Sequence, residues 1–126
     1  MKQLFTGIFF VVILSAFTTL SNVNEVIIAL KSGNAAQLAK YFDNNVEISM
    51  PEKSNNYSKS QAELVIQDFF TLNAVKGFDV LHKGGNAGAE FCIGTLLTKN
   101  GQFRTTIYLK QKGNSQVIQE ISFEKR

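Results

Sequence analysis

A capping pattern at the head of a Phe-rich stretch constrains this chain more than any other feature. In Tyr57-Ser58-Lys59-Ser60-Gln61-Ala62-Glu63, Ser60 stands three residues before Glu63. The Ser60 hydroxyl can accept from the Glu63 N–H while the Glu63 side chain reaches back to the Ser60 N–H. Ala62, Val65, Ile66, Phe69, Phe70 and Leu72 then recur at spacings of three and four. A stripe this broad has to be buried against another element. The pattern predicts a helix running to Leu72. Nearly everything after it reads as strand, so the helix is expected to lie across one face of a sheet.

The chain has 126 residues, enough for one domain. Apolar residues make up 44% and charged residues 18%, which supports a packed core rather than a disordered tail. Eleven Phe and no Trp point to a core of bulky rings. The net charge of +3 is mild, and Lys and Arg are dispersed along the chain, which argues against a nucleic-acid partner. One cysteine, Cys92, excludes an internal disulfide and reads as a small buried hydrophobe.

Met1-Lys2-Gln3 is a short basic start, Leu4 to Phe17 is an apolar run, and small residues follow at Ser15, Ala16, Thr18, Thr19 and Ser21. This order is that of a secretory signal peptide over residues 1–21, with cleavage after Thr18 or Ser21. The alternative is an uncleaved anchor, for which Leu4–Leu20 is at the short limit for a hydrocarbon core of about 30 Å. Either way residues 22–126 are expected to form a domain that works outside the cytoplasm, secreted or in the periplasm and cell envelope.

Along that domain, Asn22 heads a helix whose face is Val23, Val26, Ile27 and Leu30, closed by Gly33. Asn34 heads a second helix from Ala35 to Phe42, and Asp43-Asn44-Asn45 reads as its turn. Val46, Ile48 and Met50 alternate as a strand ended by Pro51, and Glu52 to Ser58 reads as a solvated loop. After the central helix, Phe78 and Val80 begin a strand that Gly84 to Gly88 breaks. Ala89 to Lys99 is an apolar run. Asn100-Gly101 is a hairpin signal in which both turn residues are expected at positive φ. Phe103, Thr105, Ile107 and Leu109 alternate, Gly113-Asn114 turns, and Val117, Ile121 and Phe123 mark a last strand with a bulge expected near Val117-Ile118. Helices set apart from a largely antiparallel sheet make an α+β domain.

The order of elements resembles the nuclear transport factor 2-like (cystatin-like) superfamily. More closely, the chain looks like a family of small secreted bacterial domains of unknown function. Lys31-Ser32-Gly33-Asn34, Tyr41-Phe42, Tyr57 to Glu63, Asp68-Phe69-Phe70, Ile93-Gly94 with Leu97, and Arg104 carry that resemblance. It covers residues 22–125. It implies a cone-shaped, strongly bent antiparallel sheet with N-terminal helices and one long helix across its concave face. In the superfamily such a cone holds a small molecule, catalyses isomerisation or dehydration, or mediates dimerisation and partner binding. The resemblance transfers no catalytic residue.

The candidate pocket-lining residues are Tyr41, Phe69, Phe70, Phe78, His82, Phe91 and Phe103, and each has an ordinary reading as core or strand-end residue. His82 is the single His, and no second titratable group can be set beside it from the sequence. Asp43 reads as a turn residue, Asp68 as a solvent-side helix residue. One Cys, one His and scattered carboxylates give no metal-ligand spacing, and no cofactor motif is present. Arg104, Lys110 and Lys112 flanking Tyr108 make a weakly basic stripe, read as a solvated sheet face. These residues favour a non-enzymatic domain that binds a small apolar ligand or an envelope protein. A small-molecule isomerase or lyase working in the cone is the alternative. A homodimer formed through the outer sheet face is a third expectation.

Overall fold

In a computed structural model that describes residues 21–86 and 88–126, three helices pack on one six-stranded sheet. Residues 1–20 of the signal peptide expected over 1–21 lie outside the described residues, and no helix among those described is long and apolar enough to cross a membrane.

Helix α1 (Val23–Ser32) buries Val23, Val26, Ile27 and Leu30, the apolar face expected of it, and Ala29 besides. Gly33 ends it at φ 62°, with its N–H on the Leu30 carbonyl and the Asn34 N–H on the Ala29 carbonyl. That paired closure needs a left-handed residue, which glycine supplies without strain. Asn22 does not cap α1 with its side chain. Its Nδ2 donates instead to the Gln116 carbonyl at 2.8 Å, tying the start of the domain to the last strand.

Helix α2 (Ala35–Ala39) is shorter than the expected Ala35 to Phe42. The Asn34 side chain accepts from the Gln37 N–H at 3.0 Å, but the helix ends at Ala39, and after a turn at Lys40 and Tyr41 the chain extends. Phe42, expected on the helix, opens strand β1 (Phe42–Ser49), and the expected turn at Asp43-Asn44-Asn45 lies inside that strand. Pairing on either side, of Phe42 with Ile118 and of Asn45 with Ser58, overrides the local turn preference of Asp and Asn. Strand β2 (Ser54–Ser58) occupies most of the segment expected to be a loop. It pairs antiparallel with β1, from Asn45 opposite Ser58 to Ser49 opposite Ser54.

Helix α3 (Lys59–Leu72) is the predicted central helix, but its cap is Ser58 rather than Ser60. Ser58 is extended (φ −62°, ψ 160°) and its Oγ accepts from the Gln61 N–H at 3.3 Å. The β2 ladder holds Ser58 in that conformation, so the helix starts two residues early. Ser58-Lys59-Ser60-Gln61 is itself a capping-box sequence overlapping the one first read.

Strands β3 (Val75–Asn86), β4 (Ala89–Thr98), β5 (Gly101–Lys112) and β6 (Ser115–Lys125) form an antiparallel run. The glycines at 84 and 85 do not break β3, which continues to Asn86. In the β4–β5 turn only Gly101 has positive φ (112°), and Asn100 does not, contrary to the expected turn. Lys99 and Asn100 form the two-residue loop between Thr98 and Gly101, which are register partners. The expected bulge in β6 is at Gln119, which has no partner between Ile118 opposite Leu109 and Glu120 opposite Tyr108.

The strand order is β2-β1-β6-β5-β4-β3, and β1 runs parallel to β6. The sheet is therefore mixed but antiparallel at every pair except β1–β6, in keeping with the largely antiparallel sheet expected. Each apolar strand face turns toward the helices: Val46 and Ile48 from β1, Cys92 and Leu96 from β4, Ile107 and Leu109 from β5, Ile121 and Phe123 from β6. These join Leu30, Leu38, Ile66, Phe69 and Phe70 of the helices in one core.

Candidate functional site

The seven candidate residues do not share a cavity. Phe69, on the inner face of α3, meets Phe123 of β6 and Phe103 of β5, with ring centroids 4.4 and 5.1 Å apart. Phe70 lies beside it, centroids 6.0 Å apart. Rings therefore fill the space beneath the centre of α3, which is core. Phe78 is buried at the β3–β4 ladder opposite Leu96. Tyr41 is half-buried against the core, and its carbonyl accepts from the Ile118 N–H.

His82 is exposed on β3, and its ring lies 5.3 Å from that of half-buried Phe91. Phe91 in turn lies 6.5 Å from Tyr108. His82, Phe91 and Tyr108 so form a tilted row on the sheet face away from the core. Leu81, at a bulge in β3, is exposed beside them.

Open space exists at the edges of the core. One groove of about 570 Å³ runs between the second half of α3 and the β1–β2 turn. Val65, Phe69 and Leu72 line it from α3, Phe103 from β5 and Met50 from the turn. Glu52, Lys53, Asp68 and Lys125 stand around it, two carboxylates and two ammonium groups. Sequence reasoning found Phe69 and Phe103 as lining residues and missed the other wall, because Met50 to Lys53 joins them only through the fold. The available signal was Leu72, an apolar helix residue that remains 69% exposed. A second, more polar groove of about 610 Å³ lies between the α1–α2 junction and α3, with Asn34, Glu63, Gln67, Phe70 and Thr71 on its walls. Phe91 and Tyr108 border a smaller depression of about 330 Å³.

Charge chemistry at these places is sparse. Asp43 pairs with the Lys112 ammonium at 2.7 Å and accepts from Gln119 Nε2 at 3.2 Å. The Lys112 hydrogen bond holds its carboxyl below the usual range, opposed by partial burial and helped by the Asn44 N–H. This pair ties β1 to β5 and β6 and lies in none of the grooves. Glu90 accepts from Gln116 Nε2 at 2.9 Å and from Ser21 Oγ at 3.1 Å, which fastens the start of the domain to the sheet. Burial pushes the Cys92 thiol up, against the nearby Lys83 charge, so it stays protonated and unreactive at neutral pH. Among the described residues no cluster of His, Cys, Asp and Glu could hold a metal ion.

The model of the family described as Domain of unknown function (DUF4783) matches residues 23–124. The chain belongs to this family. A DUF4783 protein from Bacteroides ovatus is 39% identical with a TM-score of 0.79, over 81% of this chain and 93% of that one. Another, from Bacteroides uniformis, is 35% identical with a TM-score of 0.80, over 82% of this chain and 95% of that one. An NTF2-like protein of unknown function from Cytophaga hutchinsonii shares the fold at 12% identity, with a TM-score of 0.59 over 82% and 86% of the two chains. No protein of curated function matches this chain. This DUF4783 domain thus has an α+β fold like that of nuclear transport factor 2-like proteins, in agreement with the resemblance read from the sequence.

Proposed function

We propose that this DUF4783 domain is an exported, non-enzymatic binding module that takes a small apolar ligand in the groove between α3 and the β1–β2 turn. The observation that carries this reading is the lining of that groove: Val65, Phe69, Leu72, Phe103 and Met50 in a space of about 570 Å³. Small-molecule sites have volumes of roughly 300–1,000 Å³, mostly apolar walls and a few polar groups at the edge. Leu72 supports it further, since a side chain 69% exposed on an otherwise buried stripe gains most from being covered. Export rests on the signal-peptide pattern of residues 1–21.

The isomerase or lyase alternative needs an acid and a base converging on a bound substrate. His82 is exposed beside Phe91, away from both helix grooves, and the groove's own titratable groups stand around an apolar lining.

Native mass spectrometry of the protein purified from its own cell envelope tests the proposal. An additional bound mass is expected, lost in a Leu72→Asp variant that keeps the wild-type circular dichroism spectrum. Protein that carries no extra mass, and that binds no apolar fluorescent probe competed by added lipid extract, overturns it.

A further inference from the structure

We propose that Asn100-Gly101 is a site of spontaneous deamidation, and that the conversion releases the C-terminal end of α3. Asn100 lies in the exposed two-residue loop between β4 and β5. Its side-chain Nδ2 donates to the Leu72 carbonyl at 2.7 Å and to Asn73 Oδ1 at 3.1 Å. These two bonds clasp the last turn of the central helix to a hairpin 27 residues or more away in sequence.

The reaction needs the backbone nitrogen of the following residue to attack the Asn Cγ. Gly101 offers that nitrogen without a side chain in the way, and even a Cβ built on it would meet no atom within 4 Å. A C–N bond forms between Gly101 N and Asn100 Cγ as the Gly101 N–H proton leaves. The Asn100 side-chain nitrogen departs as ammonia. Water then opens the five-membered imide at either carbonyl, leaving aspartate or, with the main chain routed through the side-chain carbon, isoaspartate. The only co-reactant is solvent water, and the loop is exposed to it.

Either product reverses the clasp. A carboxylate cannot donate, so both Nδ2 bonds are lost. Its negative charge then stands against the Leu72 carbonyl, at the end of a helix where the backbone dipole already concentrates negative charge. Isoaspartate also adds a backbone carbon inside the loop that keeps Thr98 opposite Gly101. The Asn73 N–H and side chain still bond the Phe69 carbonyl at 2.9 and 3.1 Å, so the loss falls on the last turn rather than on the whole helix. The clasp also restrains the reacting side chain, so conversion is expected to be slower in the folded protein than in denaturant.

Peptide mapping of purified protein aged in mildly alkaline buffer, with an isoaspartate-specific methylation assay, locates the converted residue. Conversion is expected at Asn100, faster in urea, and not in an Asn100→Gln variant. Amide hydrogen exchange of the aged fraction should be roughly tenfold faster at residues 70–73 than in fresh protein, about the effect of losing one or two net hydrogen bonds, with the core strands unchanged. The Asn100→Asp variant should show the same local change, and aged wild-type protein supplies the same reading if that variant does not fold. Conversion confined to other asparagines, or exchange at residues 70–73 that is unaltered after conversion of Asn100, overturns the proposal.

Discussion

Phe69 of α3 lies over Phe123 of β6 with ring centroids 4.4 Å apart and planes 30° from parallel. One residue of the organising helix thereby rests on the last described strand, and its ring also meets that of Phe103 in an edge-type contact at 5.1 Å. Offset and edge-on ring contacts of this kind add about 0.5–1.5 kcal/mol to what burial alone provides.

Phe69→Ala should cost about 3–5 kcal/mol, because it empties the centre of this ring cluster. Urea unfolding followed by circular dichroism measures it, with Phe69→Leu expected to lose clearly less. An alanine variant as stable as wild type would mean that Phe69 serves the groove and not the core.

Asp43 makes stability pH-dependent in a defined direction. The Lys112 hydrogen bond lowers its carboxyl in the folded state. A lowered folded value means that the contribution is present above the carboxyl's unfolded value and is lost as pH falls through the folded one. Lys112 is 57% exposed, so the pair contributes only about 0.5–1 kcal/mol. Asp43→Asn should be less stable by that amount near neutrality, and the two proteins should converge in acid. Urea midpoints that stay equally separated down through the acid range would show that the pair does not carry the effect.

Gly94 is held to glycine by its neighbours. A Cβ there would stand 2.3 Å from Phe78 Cζ and 2.6 Å from the Asp79 carbonyl oxygen. Gly94→Ala should cost about 1–3 kcal/mol by overpacking. Adding Phe78→Leu should recover part of the loss and not all, since the carbonyl oxygen remains. Thermal unfolding of the single and double variants decides this, and full recovery would assign the whole clash to the Phe78 ring.

The helices and the four-strand run were legible because their apolar residues repeat at short range. Val26, Ile27 and Leu30 mark one face of α1, and Phe103, Thr105, Ile107 and Leu109 mark one face of β5. Strand β2 was not legible. Ser54-Asn55-Asn56-Tyr57-Ser58 has no apolar alternation, and it is a strand because the β1 backbone offers it a ladder. Phe42 misled for a related reason: it stands four residues after Leu38, as a helix face requires, yet its partner is Ile118 across the sheet. Of the groove, Phe69 and Phe103 were readable as large apolar side chains. The wall from Met50 to Lys53 was not, because a turn is brought to a helix by the path of the chain and not by any local pattern.

The place of β6 has a further consequence for how the molecule comes into being. Within the sheet, β2-β1 on one side and β5-β4-β3 on the other are joined only through this strand, which follows every other described element in sequence. Its 11 residues, Ser115–Lys125, leave the ribosome after every other strand and helix described above. Until they do, the two halves of the sheet have no shared ladder, and Phe69 has no Phe123 to rest on. Insertion of β6 between the two halves is therefore the step that completes the sheet, and a chain lacking Ser115–Lys125 has neither that shared ladder nor the ring on which Phe69 rests.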